Sequence, residues 1–248
     1  MSRDERALLA GLNDPEVAPA IATGDLEILG LLPNSSNYTF LVRATGVGLD
    51  PALAVYKPRR GEMPLWDFPQ GTLCQREVAS YVVAHALGWP SVPSTILRDG
   101  PEGLGSVQTF VEFDPNEHYF TLADRFADVF RQVALFDVIV NNADRKGGHT
   151  LLGLDGRIWS IDHGVCFHTE PKLRTVIWEH MDEPVPPGLL ADVKRLGEML
   201  ATGPLRDGLG ALLTEDEITA MHRRIQAVVT EPTMPSPQGE RPFPWPPV

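Results

Sequence analysis

The sequence predicts an α+β fold in two lobes, a small antiparallel sheet followed by a mainly helical body, and three observations carry that expectation. Strand-like runs at 26–32, 38–44, 52–57, 95–98 and 105–112 alternate with turns rich in Gly, Pro and Asn. Beyond them, residues 122–140, 189–200 and 215–229 place apolar side chains at helical spacing. Two aspartates, Asp144 and Asp162, each follow an apolar run, at 134–140 and 158–161. The expected organisation is a sheet lobe with a helical preface over 1–112, a helical lobe over 113–230 and a proline-rich tail over 231–248.

Residues 3–22 have short helical character broken by Asp14-Pro15 and Pro19, with Asp14 suited to an N-cap and Pro15 to the first helical position. The first two strands are joined by Pro33-Asn34-Ser35-Ser36-Asn37. Such a tip is an ordinary polar hairpin turn or, in a nucleotide protein, a place where backbone N–H groups and hydroxyls lie over phosphates. The third strand ends at Lys57, and a helical pattern follows at 72–87, with Val78, Tyr81, Val82, Ala84 and Leu87 as its expected buried face. Glu77 on that helix is placed to hold Lys57 toward phosphate. The Pro- and Gly-rich segment 59–71 between them is irregular. Trp66 and Phe68 are expected to pin it, while Arg59 and Arg60 are solvated or face an acidic substrate.

The strand at 105–112, carrying Gln108, Phe110 and Val111, leads into a polar stretch at 113–118 where the lobe connection should fall. Extended backbone there can hydrogen-bond adenine while apolar neighbours cover its faces. The helical stretch 122–140 brings Phe126, Val129, Phe130, Val133, Leu135, Phe136 and Ile139 into the core of the larger lobe. Residues 172–180, around Arg174, form either a substrate-facing segment or a packing helix. Thr214 is a good N-cap before Glu215 and Glu217. The tail holds too many prolines for regular helix or central strand, so it should be extended. Docking through Phe243 and Trp245 is the expected outcome; disorder and capture by a proline-recognition module are the alternatives.

Composition excludes some partners. The 248 residues carry a formal net charge of -12, which repels nucleic-acid backbones and anionic membranes. No apolar run approaches the roughly 20 residues that span a bilayer, and Met1 to Arg6 lacks the apolar core of a signal peptide. Cys74 and Cys166 have no disulfide or metal spacing, which fits a reducing compartment. The expectation is a cytoplasmic protein without nucleic-acid or stable membrane association.

The chemistry concentrates in Asn141-Asn142-Ala143-Asp144-Arg145-Lys146-Gly147-Gly148-His149-Thr150, followed by Ile161-Asp162-His163-Gly164. Phosphoryl transfer uses such a carboxylate pair, one orienting or deprotonating the attacking hydroxyl and the other holding the metal on the nucleotide phosphates.

These two stretches resemble the catalytic and metal loops of the phosphatidylinositol 3/4-kinase-like superfamily, especially type II phosphatidylinositol 4-kinases and small actinobacterial kinase-like relatives. The turn Ser35-Ser36-Asn37-Tyr38 is similar to that family's phosphate-binding turn, and Lys57 and Glu77 fall in the expected order. The resemblance spans roughly residues 26–167 and implies a two-lobed protein kinase-like fold. It implies Asp144 as catalytic base or hydroxyl-orienting group, Asp162 as principal metal ligand, Lys57 on the phosphates and Glu77 positioning Lys57. Arg145 would stabilise charge near the transferred phosphoryl or bind a neighbouring carboxylate.

One residue departs from the pattern. Where the family places a metal-binding asparagine five residues after the catalytic aspartate, this chain has His149. Magnesium prefers oxygen ligands, whereas imidazole suits manganese or zinc. His149 therefore ligates and favours Mn2+, or Asn142 or water supplies the oxygen, or the protein is a pseudokinase; His163 is expected to be structural. The leading expectation is a kinase that uses ATP with Mg2+ or Mn2+ and transfers the γ-phosphate to a hydroxyl of a protein or soluble small molecule. A lipid acceptor, a nucleotide-binding pseudokinase and transfer of another part of ATP, such as AMP, are the alternatives.

Overall fold

The computed structural model describes residues 17–33, 37–89, 91–237 and 241–248. The Asp14-Pro15 cap and the turn residues Ser35 and Ser36 lie outside this set. The chain divides into two compact units, one of Met1–Tyr81 with Pro93–Val111, the other of Val82–Val92 with Glu112–Val248. Residues 82–92 therefore belong with the second unit, and so does the proline-rich tail.

The first unit is built on strands β1 (Asp25–Leu31), β2 (Phe40–Gly46), β3 (Leu49–Pro58), β4 (Thr95–Gly100) and β5 (Gly103–Thr109). They form an antiparallel sheet in the order β1-β2-β3-β5-β4. Alternation sends Val42, Ala44, Ala54, Tyr56, Ile96 and Val107 to one face. The short helix α1 (Pro19–Thr23) covers that face with Ala20 and Ile21. Arg98 of β4 fastens α1 by donating to the carbonyls of Ile21 (2.7 Å) and Gly24 (2.9 Å).

Helix α2 (Leu73–Leu87) begins in the first unit, and its N-terminal amides are capped from a distance. The Glu62 carboxylate accepts from the backbone N–H groups of Leu73 (3.1 Å) and Cys74 (2.9 Å), where an anion also meets the positive end of the helix. Val78, Tyr81, Ala84 and Leu87 are buried as expected, but Val83 rather than Val82 completes the set. Burial nearly all round this helix, Glu77 and Arg76 included, blurs the stripe from which a face is read.

The second unit is mainly helical: α3 (Tyr119–Leu122), α4 (Ala127–Val140), α5 (Pro187–Ala201), α6 (Pro204–Leu209) and α7 (Glu215–Thr230). The expected continuous helix at 122–140 is thus broken between Leu122 and Ala127. Strands β6 (Thr150–Leu152) and β7 (Ile158–Ser160) pair as an antiparallel hairpin. The Thr214 hydroxyl accepts from the Glu217 amide, and the Glu217 carboxylate accepts from the Thr214 amide, so α7 starts at the predicted cap. Residues 172–180 are not a helix; Thr175 forms a bridge with Arg145, which spends this segment's backbone on the preceding loop.

Of the two aromatics expected to pin the segment 59–71, Phe68 is the buried one. The Arg76 guanidinium lies 5.0 Å from its ring centre, whereas Trp66 is 90% exposed. Truncating Phe68 to Ala should cost about 3 kcal/mol in urea unfolding, by lost burial and a cavity. Trp66→Ala should change stability by no more than about 0.5 kcal/mol. Equal losses from the two would contradict this assignment.

Candidate active site

The two acidic loops of the second unit are joined by a buried ion pair. Helix α4 ends at Asn141, whose left-handed backbone (φ 54°) suits an asparagine at a helix terminus. The Asn141 amide turns the chain by donating to the carbonyls of His168 and Glu170 and accepting from the Lys172 N–H. One turn back on α4, Asp137 is fully buried and accepts from Arg145 Nε at 3.0 Å and Nη2 at 3.0 Å, and from Asn142 Nδ2 at 2.9 Å. Arg145, also fully buried, donates its remaining hydrogens to the carbonyls of His149 (3.1 Å) and Ile161 (3.0 Å) and meets His163 Nε2 at 2.7 Å. A guanidinium only donates, so His163 Nε2 accepts. Burial opposes the Arg145 charge, but the Asp137 carboxylate outweighs it and holds the guanidinium pKa above its ordinary value.

Backbone bonds complete the joint: Ala143 N–H donates to Val165 O (3.0 Å) and Ile161 N–H to His149 O (3.0 Å). Between them the carboxylates of Asp144 and Asp162 remain 32% and 46% exposed. Asp162 itself takes a left-handed backbone (φ 61°), which aspartate tolerates better than most residues. Lys146 Nζ stands 3.2 Å from Asp144 Oδ2, and His149 Nε2 stands 3.2 Å from Asp162 Oδ2. Burial pushes the Asp144 carboxyl above its ordinary pKa; Lys146 opposes that shift and Asp162 adds to it.

The donor set suits a metal carried with its substrate. Among the described residues no group of three or more His, Cys, Asp or Glu side chains converges as a metal cage. Mg2+ bound with nucleotides commonly takes one or two carboxylates and completes its shell with phosphate oxygens and water, which Asp162 can serve. His149 Nδ1 faces the Lys146 N–H at 3.5 Å as acceptor, which leaves the Nε2 hydrogen directed at Asp162 in the neutral ring.

In the first unit, Lys57 near the end of β3 is ion-paired with the buried Glu77 carboxylate of α2, the partnership the sequence implied. Asn37, described together with Tyr38 from the expected phosphate turn, accepts with its side-chain oxygen from the Met63 N–H at 2.7 Å. Gln108 lies within the sheet, in register with both Val55 and Thr95, and its side chain donates to Thr95 Oγ1 at 2.9 Å. Its side-chain N–H is thus engaged within the sheet. Phe110 and Val111, half-buried beyond β5, are the remaining connector positions, and the Phe110 N–H is taken by Leu53 O at 3.1 Å.

Of the two roles open to Arg145, the structure shows carboxylate binding, to Asp137. Asn142 is buried, and its side-chain oxygen accepts from the Asp144 N–H at 3.0 Å, so it braces the loop. Sequence reading missed Lys146 and Asp137. A cation two positions after Asp144 is a readable signal, whereas Asp137 is hidden in an apolar helical run and acquires meaning only when Arg145 folds against it.

A family model described as phosphatidylinositol 3- and 4-kinase matches residues 94–196, which contain both acidic loops. Protein Rv2133c of Mycobacterium tuberculosis (strain ATCC 25618 / H37Rv) is 41% identical over 270 residues, covering 95% of this chain and 96% of that protein. The chain belongs to the family of this mycobacterial protein, within the phosphatidylinositol 3/4-kinase-like superfamily. Within that superfamily, phosphatidylinositol 4-kinase gamma 4 of Oryza sativa subsp. japonica is 29% identical over 145 residues, covering 49% of this chain and 25% of the rice protein. Among solved structures, the Golgi casein kinase with Mn/ADP bound matches with a TM-score of 0.54 at 13% identity, over 92% of this chain and 76% of that one. The Helicobacter pylori proinflammatory kinase CtkA matches with a TM-score of 0.51 at 11% identity, over 85% and 93%. At such identities they establish the fold alone: this superfamily member has the two-lobed kinase-like fold.

Two outcomes follow from the geometry. Asp137→Ala strands a buried guanidinium and should destabilise the protein by about 3–5 kcal/mol in denaturant unfolding; a loss below about 1 kcal/mol would contradict the joint described here. In the metal-free protein, the Asp144 carboxyl should titrate above ordinary aspartate when followed by 13C NMR. Because the Lys146 charge favours the carboxylate, Lys146→Met should move that titration to higher pH; a downward move would reverse the assigned sign.

Proposed function

We propose that this protein is an ATP- and divalent-metal-dependent phosphotransferase that moves the γ-phosphate of ATP to a hydroxyl of a protein or soluble small molecule. The observation that carries the proposal is the Arg145-centred joint, which fixes the loops of Asp144 and Asp162 to each other while leaving both carboxylates open to solvent. Asp144 orients the acceptor hydroxyl and takes its proton as the acceptor oxygen bonds to the γ-phosphorus and the bond to the β-phosphate oxygen breaks, releasing ADP. Its raised pKa makes it a better proton acceptor than an ordinary surface aspartate. Lys146 steadies the Asp144 carboxylate and adds positive charge where phosphoryl oxygens gather. Lys57, held by Glu77, meets the nucleotide phosphates.

Asp162 holds the divalent ion, which when bound neutralises charge on the phosphates. His149 positions Asp162 by donating from Nε2, as its Nδ1 contact with the Lys146 N–H favours. The 3.2 Å approach of Nε2 to Asp162 also supports a second reading, in which the ring changes tautomer and ligates the ion itself. His149→Gln retains an N–H donor and separates the two. Positioning predicts an unchanged ratio of Mg2+- to Mn2+-supported nucleotide affinity by calorimetry, whereas ligation predicts a shift toward Mg2+. The net charge of -12 favours a soluble acceptor over an anionic lipid surface.

The assay is nucleotide binding with Mg2+ or Mn2+, followed by ADP formation and mass analysis of the modified acceptor. Asp144→Asn should lower turnover by about 100-fold or more while nucleotide affinity stays nearly unchanged. Saturable binding without transfer or turnover under either metal would instead support the pseudokinase alternative, and an added AMP would identify nucleotidyl transfer.

A further inference from the structure

The tail reaches the catalytic loop, and its prolines explain how. Proline lacks an N–H but keeps a carbonyl acceptor, so a proline-rich strand can satisfy a neighbour's donors with few donors of its own to place. Pro232 O accepts from Val185 N–H at 2.8 Å; Pro242 O accepts from Thr175 N–H at 3.1 Å and from Trp178 Nε1 at 3.4 Å. Pro247 O accepts from Gly147 N–H at 2.8 Å. Gly147 opens the 3-10 turn Gly147–His149; Lys146 just before the turn faces Asp144, and His149 at its end faces Asp162. The expected anchors are not what holds this segment, since Phe243 and Trp245 are 53% and 89% exposed.

A second contact acts on the same loop. Arg145 N–H donates to Arg174 O at 3.0 Å and Val176 N–H to Arg145 O at 3.1 Å, while Thr175 between them is held by Pro242. Tail, 174–176 segment and catalytic loop are therefore linked backbone to backbone. Gly147 is also enclosed from the side: a Cβ there would lie 2.8 Å from the Phe120 ring and 3.4 Å from Pro247 O.

We propose that residues 242–247 are a positioning element of the active site, a backbone clamp that holds the turn carrying Lys146 and His149. With the tail docked, the Asp144 and Asp162 carboxylates are still open to solvent, which favours positioning over blocking. The catalytic half of this proposal rests on the role assigned above to Asp144; the structural half does not.

The test compares the full chain with one ending at Arg241. Amide exchange at Gly147 and Thr175 should accelerate about tenfold or more in the shortened chain. Turnover should fall about tenfold with the KM for ATP nearly unchanged, and a synthetic peptide of residues 241–248 should restore both. If the shortened chain does not fold, cutting the folded 248-residue chain at a protease site inserted between Ser236 and Arg241 makes the same comparison. Unchanged exchange at Gly147 overturns the clamp, and faster turnover after removal overturns it in favour of an inhibitory tail. A full chain with no turnover under either metal defeats the phosphotransferase reading instead, while the exchange rates still decide whether the clamp exists.

Discussion

The Asp137–Arg145 ion pair is the interaction on which the arrangement of the second unit's two acidic loops depends. Both side chains are fully buried, and a charge so placed is tolerated only with an opposite charge and hydrogen bonds around it. Arg145 meets that requirement by reaching helix α4 through Asp137, the His149 carbonyl, the Ile161 carbonyl and His163. Asp137 belongs to α4, His149 to the stretch after Asp144, and Ile161 and His163 both to the stretch that carries Asp162. The same demand for satisfied hydrogen bonds that keeps a buried guanidinium stable thus fixes the geometry from which Asp144 and Asp162 project.

Much of the fold was legible because its signals are local. Alternation marked the strands, and the Thr214-to-Glu217 spacing marked the start of α7. The failures have a common cause in tertiary burial. Val83 replaced Val82 because α2 is enclosed on most sides. Of the two alternatives for 172–180 the packing helix does not form, because Arg145 and the tail take backbone donors and acceptors of this irregular segment, which helical spacing within it does not reveal.

The site divides in the same way. Asp144, Asp162, Lys57 and Glu77 were legible as types at characteristic positions, and Glu77 does hold Lys57. Arg145 was legible as a residue but ambiguous between two roles, since a buried carboxylate partner eight positions earlier leaves no local mark. Gln108 lies in a strand whose register turns its amide onto Thr95, a fact that depends on β4 pairing with β5. The turn residues Ser35 and Ser36 are outside the described structure, so their assignment rests on resemblance alone.

The central claim is that Asp162 carries a divalent ion together with a nucleotide beside Asp144. The most direct measurement is pulsed electron paramagnetic resonance of the protein with Mn2+ and ADP. A 31P hyperfine coupling from the nucleotide should appear, and Asp162→Asn should weaken the Mn2+-dependent nucleotide affinity by about tenfold or more. An Mn2+–ADP complex with the same affinity and spectrum in Asp162→Asn, or Mn2+ bound without any 31P coupling, would contradict the account.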